Sequence, residues 1–411
     1  MIKISKKKVN FILILLNDRS ATMKKLFYFG ILGLVLFEIA NVYFIMPMPG
    51  SQQMNSISLA YFLYSWRWIF RALFGLMIIA GFIRAFKGSK ILSILFLLIT
   101  GFVVYATNFV MAADSMFLQP KKLLMSDATA NKVDTNRIVL GITFNGQAKA
   151  YPIQYLGYHH KVFDTIAGKP VMVTYCTVCR TGRVFEPVVN GKKEVFRLVG
   201  MDHFNAMFED ETTKSWWRQA TGEAIAGKLK GQFLPLVENS QVTLGKWLSL
   251  YPKSLVMQPG EDYKAEYDAM TNYEAGKSKG NLTRMDSLSW KDKSWVVGIL
   301  TANESKAYDW NQLQKERIIY DVLDGQPIVI ILSDDNKSFV ALERTNNDQR
   351  FELINDTLKD GEHKYAFTGS SLDPAIPGLQ KLNAYQEYWH SWRTFHPTKL
   401  LRSADHPVHH I

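Results

Sequence analysis

The stretch Val171-Met-Val-Thr-Tyr-Cys-Thr-Val-Cys-Arg-Thr-Gly-Arg-Val-Phe185 holds the only two cysteines of the chain, Cys176 and Cys179, at C-x-x-C spacing. Val171 to Tyr175 is β-branched and aromatic and reads as a buried strand. Arg180-Thr181-Gly182 is turn chemistry, and Arg183 to Val189 reads as the returning strand. Two soft sulfur ligands therefore sit at the tip of an expected β-hairpin. A thioredoxin-type C-x-x-C opens a helix whose N-terminus acidifies the thiol, and nothing helical follows Cys179. A hairpin tip is closer to a metal knuckle, where a tight turn aims both sulfurs at one point. Two sulfurs cannot close a four-ligand site, so other ligands must come from elsewhere in the chain. A redox thiol pair and a structural disulfide are the alternative readings.

Outward from this stretch, the 411 residues allow two or three domains. The net charge of +11 is unevenly spread. Residues 1–113 hold 12 Lys/Arg against two acids, Asp18 and Glu38, while the remaining 298 residues hold 36 basic and 35 acidic groups. The basic balance therefore belongs to an apolar N-terminal region, and the rest carries no nucleic-acid signature. Leu26 to Met46, Ile57 to Ile83 and Ile91 to Ala113 are three apolar runs long enough to cross a bilayer. Arg67 and Arg71 interrupt the second, which is expected to begin near Trp68 or to tilt with both arginines snorkelling. Phe11 to Leu16, in the basic leader, is too short to span, and Met23 is an alternative start.

Orientation follows from loop charge. The leader is strongly basic, the loop Met46 to Ser56 has no basic residue, and the loop Arg84 to Lys90 has three. Positive charge stays cytoplasmic. The expected placement is the inner membrane of a bacterium, N-terminus inside, with everything after Ala113 periplasmic or extracellular. Outside the cytoplasm a thiol pair oxidises unless a metal ligates it or a membrane partner keeps it reduced.

The region after the anchor reads as a tandem repeat. Ile138-Val-Leu-Gly-Ile matches Trp295-Val-Val-Gly-Ile299, Ala150-Tyr151 matches Ala307-Tyr308, Asp164 matches Asp321, and Gly168-x-Pro170 matches Gly325-x-Pro327. Later, Trp247-Leu-Ser-Leu-Tyr-Pro252 resembles Trp392-Arg-Thr-Phe-His-Pro397. Cys176 becomes Ser333, Cys179 becomes Asn336 and His159-His160 becomes Glu316-Arg317. The second repeat is thus expected to be a structural partner of the first. The expected fold is an N-terminal three-helix transmembrane segment followed by a β-rich α+β region. The anchor spans 1–113, the first repeat 114–260, a helical or loose linker 261–290, a cysteine-free second repeat 291–402 and a tail 403–411.

The segment Asp164 to Cys179, with Ser215-Trp-Trp-x-Gln219 and Ala224-Ile-Ala-Gly227, resembles the bacterial family of unknown function numbered 3179. The resemblance places the family histidine on His159, its aspartate on Asp164 and its cysteine pair on Cys176 and Cys179. A D-x-x-T-x-S-x-W-x-Q box falls on Asp210, Thr213 (or Thr212), Ser215, Trp217 and Gln219. This chain departs at Phe163, at Thr177 and at Arg180, which stands where the family has glycine and makes a left-handed knuckle turn harder. The resemblance implies no reaction.

The expected site is Cys176 and Cys179 with His159, or with His160 or His203 in its place, holding copper or zinc. Asp164 would orient an imidazole or cap a turn, and Arg180 and Arg183 would stabilise thiolate charge or an anion. Met201 and Met207 beside His203 add soft donors, and His406, His409 and His410 sit in the tail. The partners expected are the lipid bilayer and a membrane redox or metal-handling protein, with no nucleic acid. No Ser-His-Asp, paired-carboxylate or phosphate-loop pattern is present to suggest another chemistry.

Overall fold

The computed structural model describes residues 6–361 and 363–396, with side chains from residue 21 onward; the tail histidines lie outside the described residues. The chain divides into two units, residues 1–116 with 199–202, and residues 117–198 with 203–411.

The first unit is helical. A helix runs Lys6–Tyr43, followed by Ile57–Ser65, Arg67–Gly88 and Lys90–Tyr105. Three stretches are long and apolar enough to cross a membrane: Ala21–Tyr43, Arg67–Gly88 and Lys90–Val110. The second begins at Arg67, close to the expected Trp68. The outward faces stay apolar, with Leu76, Ile79, Ile91 and Leu98 all exposed, as a lipid-facing surface requires. The polar residues turn inward. Glu38 is fully buried and takes two hydrogen bonds from Arg71, at 2.6 and 3.0 Å. Asn108 accepts from Arg71 at 2.6 Å and donates to Glu38 at 2.9 Å. Arg71 therefore turns inward: it joins three helices through a bidentate pair, which neutralises the charge of the fully buried Glu38. Arg67 donates to the carbonyl of Tyr64 and stacks on its ring.

The second unit is β-rich. Ile138–Phe144 and Gln147–Pro152 form a hairpin in a five-stranded sheet that also contains Ser240–Thr243. A short helix, Ile153–His159, leads into the three-stranded sheet Lys161–Ile166, Lys169–Cys176 and Thr181–Phe185. Residues after 294 run in the same order: the hairpin Trp295–Leu300 and Ser305–Asp309, the helix Trp310–Glu316, and the sheet Ile318–Leu323, Gln326–Leu332 and Phe339–Glu343. Matching contacts recur. Lys149 and Tyr151 both bond Asp164, and Lys306 and Tyr308 both bond Asp321. Trp247 lies so close over Gly141, and Trp392 over Gly298, that a β-carbon at either glycine would sit 2.2 or 1.9 Å from the indole.

The two halves share a core. Along Gln326–Leu332, Val329 and Ile331 pack with the first half, while Ile328, Ile330 and Leu332 pack within the second. Side chains alternate across a strand, so an unbroken apolar run serves two layers at once. Of the two readings of residues 261–290, the segment is helical over Lys264–Ala269 and Thr271–Glu274, and it is not loose. Tyr263, Tyr267 and Tyr273 are buried in the core of the first half, a payload no solvated linker carries.

Candidate functional site

Cys176 pairs with Thr181 at the end of the hairpin, leaving residues 177–180 as the turn. Arg180 takes the left-handed conformation (φ 57°). That costs about 1–2 kcal/mol for a non-glycine residue. The fully buried side chain offsets it: Nε donates to Gln386 at 2.9 Å, Nη2 donates to the Glu274 carbonyl at 3.1 Å, and the guanidinium lies 3.7 Å from the Trp295 ring centre. Arginine therefore permits the knuckle turn here by tying it to neighbouring elements.

A second layer of polar residues fixes the hairpin legs. Gln219 donates to Thr174 Oγ1 and to the Thr181 carbonyl, both at 3.0 Å, and accepts from Thr181 Oγ1 at 2.5 Å. Gln219 is placed by the turn before it. Asp210 accepts from the Thr213 hydroxyl (2.7 Å), the Ser215 amide (3.1 Å) and the Trp217 indole (2.9 Å). This turn is thus a scaffold, and the threonine that bonds Asp210 within it is Thr213.

Both sulfurs are unbonded to each other and completely buried. Their acidities diverge. Burial raises the Cys176 thiol, but hydrogen bonds from Cys179 and from the amides of Ala206, Cys179 and Val178 outweigh it and hold Cys176 below the usual thiol range. Burial pushes Cys179 well above that range, and the bond and charge of Cys176 add to it. Cys176 is thus the more acidic of the two thiols, and in its protonated form it donates to the Phe204 carbonyl at 3.5 Å. The Lys293 ammonium, which donates to the Val178 carbonyl at 2.6 Å, offsets negative charge on both sulfurs.

The imidazole that meets these sulfurs is His390, from the helix Trp389–Phe395. Its Nε2 lies 3.8 Å from Cys179 Sγ. Its Nδ1 lies 3.0 Å from the Asp292 carbonyl, an acceptor, so Nδ1 carries the proton and Nε2 presents a lone pair to the sulfur. Burial, with Lys293 nearby, lowers its pKa to about 3, so the ring stays neutral. The strand Asn383–Tyr388 docks the helix there: Tyr388 N–H donates to the Cys179 carbonyl at 3.0 Å, and Arg183 makes a buried ion pair with Glu387. Ser391 donates to the other Glu387 oxygen at 3.0 Å. Arg183 additionally stacks 3.6 Å from the Tyr385 ring centre. Both arginines of the turn therefore act by tying the hairpin to the second half.

The anticipated imidazoles lie elsewhere. His159 is buried with both nitrogens engaged, Nδ1 with the Leu118 carbonyl (2.5 Å) and Nε2 with the Tyr267 hydroxyl (2.6 Å). It ends a helix, and the left-handed residue after it, His160 (φ 61°), turns the chain into the next strand. His160 bonds the Tyr158 carbonyl and stacks on Phe117. His203 stands edge-on to Phe395, and Met207 is core. Asp164 bonds Lys149, Tyr151 and its own turn, and no imidazole. Among the described residues, no group of three or more His, Cys, Asp or Glu side chains is placed to hold a metal ion, Cys176, Cys179 and His390 included.

A signal for His390 did exist. In the alignment of Trp392 with Trp247, His390 and Ser391 stand where the first half has Gly245 and Lys246. The second half lacks the cysteines but gains, on its helix, the groups that face them.

The family described as Protein of unknown function (DUF3179) matches residues 120–399. The chain belongs to this family. Its matched span takes in the hairpin, the Asp210 box and the helix bearing His390, so sulfurs and imidazole lie within one family unit. No curated protein and no solved structure matches the chain.

Proposed function

We propose that the protein is a membrane-anchored, extracytoplasmic binder of a soft transition-metal ion, copper(I) ahead of zinc, held by Cys176, Cys179 and His390. The observation that carries the reading is the neutral His390 whose Nε2 lone pair faces Cys179 Sγ at 3.8 Å while Nδ1–H is anchored on a carbonyl. Metal–sulfur and metal–nitrogen bonds of about 2.3 and 2.0 Å, at tetrahedral to trigonal angles, separate the two donors by about 3.5–3.7 Å. The pair is therefore spaced as two ligands of one ion. Cys176 completes the set when its proton is displaced, since only the thiolate ligates. Two thiolates, a monovalent ion and Lys293 sum to zero charge in a buried site, which favours copper(I). Thiolate donors favour the same ion. The orientation with the β-rich unit outside the cytoplasm rests on the loop charges. The second half is read as a diverged repeat that supplies the imidazole as well as support.

The test is copper(I) competition with a chromophoric chelator, anaerobically, on the full chain in detergent, followed by X-ray absorption. One copper with two sulfurs and one nitrogen is expected, lost in Cys176→Ser, weakened at least tenfold in His390→Ala and unchanged in His159→Ala. Copper-free wild type, or equal binding by Cys176→Ser, would sink the proposal. A thiol–disulfide exchanger is the second reading, favoured by the divergent acidities of the two thiols. It predicts a reversible redox potential and a mixed disulfide trapped by Cys179→Ser. Full burial of both sulfurs weighs against it, because exchange needs an attackable sulfur.

A further inference from the structure

We propose that the cleft walled by Glu274, Trp295 and Trp310 binds a neutral saccharide. The cleft has a volume of about 410 Å³ and draws its walls from both halves of the β-rich unit. That lies within the range of about 300–1,000 Å³ typical of small-molecule sites. Among the described residues, two buried polar atoms of the wall residues, the indole nitrogens of Trp295 and Trp310, have no hydrogen-bond partner, and Glu274 Oε2 accepts no hydrogen bond and has Arg137 Nη1 3.8 Å away. Orphaned donors of this kind are rare in folded proteins, and two indole donors beside a carboxylate oxygen at one cleft call for a ligand that both accepts and donates.

The chemistry of the walls selects the ligand. Around the rim, Arg137 and Lys337 balance Asp134 and Asp335. Lys337 is engaged with the Asn136 carbonyl, and Asp335 with Ser338 and Thr243. With Glu274 the lining holds three carboxylates against two cations, which disfavours an anionic ligand. Glu274 accepts from the Ile138 amide through Oε1 at 2.5 Å. Burial raises its pKa against the pull of Arg137 3.8 Å away, and Oε2 has room to accept from a ligand hydroxyl. The indoles donate only. A hydroxyl both donates and accepts, so a molecule with several hydroxyls on a compact ring satisfies all three atoms at once. Its C–H faces suit the aromatic edges beside them. A carboxylate would satisfy the indoles and meet Glu274 unfavourably.

The experiment is a titration of the full chain, in a detergent without sugar headgroups, with glucose, galactose, N-acetylglucosamine and maltose. Tryptophan fluorescence and calorimetry report binding. Saturable binding of at least one sugar is expected. It should be weakened about tenfold or more in Trp310→Phe, which keeps a ring and deletes the N–H, and in Glu274→Gln. Trp310 packs in the core, so Trp295→Phe and the melting temperature of each variant separate lost recognition from lost folding. The proposal is overturned if no sugar titrates, if well-folded variants bind as wild type does, or if citrate binds more tightly than every sugar.

Discussion

Breaking the Arg183–Glu387 pair tests whether the hairpin and the helix of the second half form one site. Arg183 is 1 % exposed and Glu387 fully buried. Arg183 also donates to the carbonyls of Ala220 and Gly182, and Glu387 accepts from Ser391. Removing one partner strands the other charge in the interior, which costs about 3–5 kcal/mol. Replacing both by apolar residues of similar volume removes both desolvation penalties and costs far less. Glu387→Leu and Arg183→Met should each lower the melting temperature by roughly 6–20 °C, at about 2–4 °C per kcal/mol for a domain of this size. The double variant should be more stable than either single one. The assay is thermal unfolding of the full chain in detergent, arranged as a double-mutant cycle. Copper binding should weaken in both single variants, because Glu387 and its strand carry Ser391 and His390 to Cys179. Singles costing under about 1 kcal/mol, or a double variant equal to their sum, would refute the coupling.

Acidification should destabilise the β-rich unit steeply. Burial holds His160 near 4 and His390 and His396 near 3, whereas the unfolded chain protonates histidine near about 6.5. Below that value the unfolded state binds more protons. Stability should therefore fall as the pH drops from about 6.5 towards 4, by up to about 4 kcal/mol per pH unit for three sites. Glu274 and Glu387, whose pKa values burial raises, act in the opposite sense just above their unfolded values and blunt the fall. Urea midpoints at pH 7.5 and 5 measure it, and equal midpoints would contradict the burial of these rings. In the helical unit, Arg71→Leu leaves Glu38 buried beside Asn108 alone and should cost about 3 kcal/mol. Glu38→Leu added to it should restore stability, read as thermal aggregation in detergent; no recovery in the double variant would count against the pair.

Much of the fold was legible along the chain. The apolar runs revealed the helices, because a long uncharged stretch has few other stable environments. The flanks of Cys176 and Cys179 revealed the hairpin through β-branched residues and turn chemistry. The polar segment 261–290 misled, because its three core tyrosines are diluted among charged neighbours and carry no clear period. Arg71 misled likewise, because its partner Glu38 sits on another helix.

What the sequence determined by itself is the list of elements and the soft donors at one hairpin tip, since propensity, alternation and turn chemistry act between near neighbours. Only the tertiary structure decided which imidazole meets the sulfurs. His390 lies 211 residues beyond Cys179. It arrives because Tyr388, Glu387 and Gln386 bond to the hairpin that Cys179, Arg183 and Arg180 present. His159, close by in the chain, is turned away by the helix end it occupies and the carbonyl and hydroxyl that hold its ring.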